Sequence, residues 1–154
     1  GAHFNPFVSL AMFLRKKINA KLLIIYIPAQ ILGCLLGVML ANVFFEHDIL
    51  ELSTKNRDGF NIFLSEIIAT FGLIFIIFAT QKDGKITIAA SVATYIMAGY
   101  WFTSSTSFAN PAVAIARTFT DSFTGINYLN TPTYILAEFL GALIAVYFIK
   151  KLIK

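Results

Sequence analysis

The chain has 154 residues, of which 58% are hydrophobic and 13% charged, with a mean hydropathy of +0.77. Soluble domains carry about 25% charged residues, so this composition excludes a water-soluble monomer and a disordered chain alike. The net charge of +4 does not point to nucleic acid, because Lys and Arg sit at the ends of apolar runs, and the single Cys excludes an internal disulfide framework or a Cys-based zinc site.

In chain order, the first element is a short helix start at Asn5-Pro6, expected over about 5–15. Residues 22–45 follow as 24 positions without a charge, enough for a bilayer that needs about 20. A polar loop (46–61) leads to a second span at about 61–81, interrupted only by Glu66, and QKDGK (81–85) is a tight turn around Gly84. A third span covers about 86–103, a second Asn-Pro segment about 110–120, and a fourth span, carrying Glu138, about 133–150. With no Ser/Gly linker or low-complexity tract, residues 1–154 read as one all-α membrane domain of four transmembrane helices and two half-helices.

Lys and Arg favour the cytoplasmic ends of spans. Arg15, Lys16, Lys17, Lys21, Lys82, Lys85, Lys150, Lys151 and Lys154 fall on one side of an alternating four-span chain; only Lys55, Arg57 and Arg117 fall on the other. The C-terminus is therefore expected in the cytoplasm, in a multi-pass protein of the plasma (inner) membrane.

Two segments repeat at a separation of about 105 residues. GAHFNPFVSLA (1–11) matches SFANPAVAIA (107–116) through Asn-Pro, Val8/Val113 and Ala11/Ala116, and YIPAQILGCL (26–35) matches YILAEFLGAL (134–143). Three spans separate the two Asn-Pro segments, and an odd number inverts the second copy relative to the first. Equal repeats would require two further spans ahead of Gly1, so the chain reads as a fragment lacking them.

Pro suits the first helical turn and Asn is a preferred N-cap, so FNPFVSLAMFL and ANPAVAIARTF both read as helix starts. Each apolar stretch is about half of what crosses a bilayer, and such a half-helix is tolerated at membrane depth only where backbone lines a cavity. Two inverted half-helices would bring their positive N-terminal ends together near the midplane. Asn5 and Asn110 would then offer amide donors to a passing neutral molecule, while the dipoles repel cations.

At these residues the chain resembles the aquaporin (major intrinsic protein) family. GAHFNP at 1–6 resembles the first signature loop, with Phe7 where the family usually has Ala, and FANPA at 108–112 matches the second Asn-Pro-Ala motif through Asn110, Pro111 and Ala112. Glu66 with Thr70 and Phe71 resembles the glutamate-bearing fourth helix. The resemblance implies an aquaporin-like inverted-repeat helical bundle, partial here, with a selectivity constriction at Ala98, Ser107 and Val113. The family usually has Arg at the position of Val113 and often His at that of Ala98. Small apolar groups there imply a wide, uncharged filter, as in aquaporins encoded beside arsenic-resistance genes, and hence glycerol-like polyols or metalloid hydroxides. Arg117, two helical turns past Asn110, is a candidate for the outer vestibule. The resemblance also implies a homo-tetramer in the lipid bilayer, with a pore in each subunit.

His3 and Glu66 are expected to support the signature loops, Glu66 by accepting backbone N–H groups. Glu138 aligns with Gln30, so a polar group recurs there, favouring helix packing or loop support over proton transfer. Gly33 and Gly37 form a GxxxG pattern that would allow close helix approach. The run Thr103–Ser107 would either line a pore or satisfy a broken backbone. His47 is expected to be merely solvated. The leading reading is a passive channel for water or small neutral solutes, with no cofactor, metal or catalytic residue, and no nucleic-acid partner. The alternatives are a proton-coupled transporter using Glu66 and Glu138, a non-conducting truncated subunit and, more remotely, an intramembrane hydrolase.

Overall fold

The computed structural model describes residues 1–152, which are helical with no strand among them. The helices are α1 (Pro6–Leu14), α2 (Ala20–Phe44), α3 (Phe60–Ala79), α4 (Lys85–Phe102), α5 (Pro111–Ala116) and α6 (Thr131–Leu152). Backbone contacts divide the chain into two compact units: residues 1–58 with 110–135, and residues 59–109 with the chain from 136 onward.

In the first unit, α1 begins where Asn5 caps it and Pro6 takes the first turn, where a missing N–H does no harm. α2 begins earlier than the apolar run suggests, because the Asn19 side chain accepts the Leu22 N–H at 2.9 Å and draws Lys21 into the helix. Pro28 lies inside α2 without ending it. The second half-helix is α-helical only over Pro111–Ala116 and tightens to a 3-10 turn at Arg117–Phe119. The 46–58 loop is held against the chain beyond α5. Ser53 N–H donates to Thr118 O at 2.9 Å, Asn127 N–H to Lys55 O at 2.8 Å, and Arg57 Nε to Gly125 O at 2.8 Å.

In the second unit, α3 starts beyond Gly59 (φ 107°), and the 81–85 turn is a short 3-10 stretch ended by Gly84 (φ 96°). On α3 the buried positions are Glu66, Ala69, Thr70, Leu73, Ile74, Ile77 and Phe78, the three- and four-residue spacing of one helix face. Ala142, Ala145, Val146 and Ile149 give α6 a similar stripe. Phe71 on α3 meets Phe148 on α6 edge to face at 5.9 Å.

α2, α3 and α6 are long and apolar enough to cross a membrane. The fourth expected span, α4, is an unbroken helix of 18 residues, but it begins on Lys85 and carries Thr87, Ser91, Thr94, Tyr95 and Trp101, and it is not among the helices apolar enough to cross by length and composition. Lys154, counted among the cytoplasmic cations, lies outside the described residues. Within this chain, nothing among the described residues lies within 4 Å of where a Cβ on Gly33 or Gly37 would be. Close packing occurs instead at Gly141, the repeat counterpart of Gly33, which lies against the Ile67 carbonyl oxygen and Phe71 backbone nitrogen of α3.

Candidate functional site

Each Asn-Pro segment builds the same local device. Asn5 sits in extended backbone (φ −152°, ψ 122°) and its side-chain oxygen accepts the Phe7 N–H at 2.9 Å. Asn110 repeats this (φ −159°, ψ 109°), accepting the Ala112 N–H at 3.1 Å. The residue before each Asn is left-handed, Phe4 at φ 53° and Ala109 at φ 46°. Such conformations cost about 1–3 kcal/mol each outside glycine and persist only where the surroundings enforce them. The two capped starts meet within the first unit, where the Asn110 side-chain amide donates to the Phe4 carbonyl at 2.9 Å.

The first start is braced by side chains. Ser9 Oγ, fully buried on α1, lies 2.9 Å from His3 Nδ1 and accepts the Gln30 amide N–H from α2 at 3.0 Å. His3 also packs edge to face on Tyr26 at 5.1 Å. The second start is approached by a segment braced by Glu66, whose carboxylate accepts the Phe108 N–H at 2.9 Å and the Ala109 N–H at 2.7 Å.

The hydroxyl run preceding that segment serves the local backbone. Thr103 Oγ1 donates to Gly99 O at 2.6 Å, Ser105 Oγ accepts the Ser107 N–H at 3.2 Å, and Ser65 Oγ accepts the Ser104 N–H at 3.2 Å. Ser107 is buried against Gly99, where any Cβ would meet its side chain. Ala98 is exposed on α4, Val113 is half-buried in the first turn of α5, and Arg117 opens the 3-10 turn that follows.

Several bracing residues escaped the sequence reading. Asn42, buried at 2% exposure on α2, donates to Phe119 O at 2.9 Å and Ile49 O at 3.3 Å, tying the loop to the chain beyond α5. Its signal was an amide in a 24-residue apolar run that holds only one other, Gln30. Asp121 accepts the Thr54 N–H at 2.8 Å, and that bond first of all holds its carboxyl below the usual carboxylate range. His47 pairs with Glu51 at 2.9 Å, so it is not merely solvated.

Residues 1–103 match the family described as "Major intrinsic protein". The chain is 44% identical over 145 residues to "Aquaglyceroporin AqpS" of Rhizobium meliloti (strain 1021), an alignment covering 94% of this chain and 62% of that protein. It is 28% identical to "Probable aquaporin TIP3-2" of Arabidopsis thaliana (94% of this chain, 56% of that protein) and 29% identical to "Aquaporin-4" of Rattus norvegicus (94% and 47%). The chain thus spans about half to three-fifths of the length of these relatives. Together with the duplicated Asn-Pro helix starts, the match over most of its length places the chain in the major intrinsic protein family.

Proposed function

We propose that the chain forms the solute path of a passive membrane channel for water and small uncharged solutes. The observation that carries this reading is the bond from the Asn110 amide to the Phe4 carbonyl, which ties the two Asn-capped helix starts together. Helix N-termini carry partial positive charge, and two brought together repel a cation that would have to shed its water to pass. A neutral hydroxylic molecule can instead exchange its water contacts for amide N–H groups and backbone carbonyls. In this reading Asn5 and Asn110 are the donors, Pro6 and Pro111 fix the helix starts, and Phe7 and Ala112 complete the motifs.

Val113 supports a wide, uncharged passage, because an isopropyl group stands where the family resemblance leads one to expect a guanidinium; Ala98 and Ser107 belong to the same proposal as selectivity positions. Glycerol-sized polyols and metalloid hydroxides fit such a passage, and the similarity to a protein named an aquaglyceroporin supports the polyol. Arg117 serves the outer vestibule, His3 and Glu66 hold the loops, and the assembly is a homo-tetramer with cytoplasmic C-termini. A proton-coupled transporter is the weaker reading, since Glu66 is engaged by two backbone N–H groups rather than poised to move a proton.

The test is stopped-flow osmotic response of proteoliposomes containing this chain under water and glycerol gradients. Volume change faster than in empty vesicles, insensitive to a proton gradient, is expected. Empty-vesicle rates from inserted, folded protein would overturn the proposal.

A further inference from the structure

Two carboxyl groups lie inside the second unit, Glu66 on α3 and Glu138 on α6, each 0% exposed and within hydrogen-bonding reach of the other. Two ionised carboxylates do not share so dry a site, because like charge and lost hydration both oppose it. One of them holds a proton, and the bonding indicates which. Both oxygens of Glu66 accept backbone N–H groups, Oε1 from Phe108 at 2.9 Å and Oε2 from Ala109 at 2.7 Å. That is the acceptor set of an ionised group.

The internal repeat supplies an independent reason. Glu138 occupies the position of Gln30, whose neutral amide donates to Ser9 Oγ at 3.0 Å and so braces the first Asn-Pro segment. A protonated carboxyl is the nearest acidic analogue of that amide, being neutral and able to donate. We propose that Glu138 is a protonated positioning residue whose O–H donates to Glu66, holding the Glu66 carboxylate against the Phe108 and Ala109 backbone. The proton stays on Glu138, and no transfer is involved. The significance of this brace for conduction rests on the proposed channel function; the protonation itself does not.

Infrared spectra of the chain reconstituted in lipid at neutral pH test the protonation without reference to transport. The wild type is expected to show the carbonyl band of a protonated carboxylic acid, absent in Glu138→Gln and retained, though shifted, in Glu66→Gln. A wild type lacking the band, or a band lost only in Glu66→Gln, overturns the proposal. The positioning role is read from thermal unfolding and osmotic flux. Glu138→Gln, which keeps a neutral donor, should hold flux within about twofold, whereas Glu138→Leu should lose about tenfold by leaving Glu66 short of a partner. Equal loss in both variants overturns the positioning role. If Glu138→Leu does not fold, the Gln variant and its spectrum still decide. Flux absent from every protein including the wild type, alongside the expected bands, would count against the channel and leave the protonated pair standing.

Discussion

At the scale of single residues, the chemistry lies in which side chains can donate a hydrogen bond and which cannot. Asn5 and Asn110 each spend their side-chain oxygen on capping a helix. Each amide nitrogen carries two N–H donors in addition, and the Asn110 amide places one on Phe4 O. Val113 adds neither donor nor charge beside them. Replacing it should therefore change which solutes pass more than how fast water does. Val113→Arg is expected to lower glycerol permeability about tenfold relative to water in proteoliposomes, since a pocket discriminates sharply once bulk and a polar group are added. An unchanged glycerol-to-water ratio would remove Val113 from the selectivity positions.

At the scale of elements, the helix starts were legible because their signals are local. An Asn followed by Pro fixes the first turn whatever lies around it, and both half-helices start as the residues indicate, α1 at Pro6 and α5 at Pro111. Their ends were less legible, since nothing near Arg117 announces the change from α to 3-10 geometry. Packing was the least legible property, because it depends on a partner that the motif does not name. Gly33-x-x-x-Gly37 looks like a contact surface yet touches nothing close among the described residues, while Gly141, outside any GxxxG, packs on the α3 backbone. A Cβ at Gly141 would run into the Ile67 carbonyl oxygen, which cannot rotate away. Gly141→Ala should therefore lower stability by about 1–3 kcal/mol, the usual range for overpacking, whereas Gly33→Ala should change it by less than about 0.5 kcal/mol. Thermal unfolding of the two variants in the same lipid compares them directly, and equal shifts would contradict the packing described for α6.

At the scale of the whole molecule, two properties of the sequence govern how the chain meets a bilayer: its apolar runs and the placement of its cations. The runs become α2, α3 and α6, each long enough to cross. The loop brace of residues 46–58 was not readable from them, because Asn42, Ser53, Arg57 and Asp121 hold partners far along the chain, and such pairings leave no periodicity. The cations make a sharper statement about direction. Nine of the twelve Lys and Arg fall at one set of span ends, and short-loop cations resist translocation far more than acids do. Lys82 and Lys85 flank the 81–84 turn, whereas the 46–58 loop mixes Lys55 and Arg57 with Glu46, Asp48, Glu51 and Asp58. Single-cysteine reporters in a Cys34→Ala background separate the two loops, because Asn56 and Asp83 are both exposed. Asn56→Cys should react with a membrane-impermeant maleimide on intact cells, and Asp83→Cys only after permeabilisation. The opposite pattern would invert the chain, and labelling of both from outside would mean that α3 does not cross.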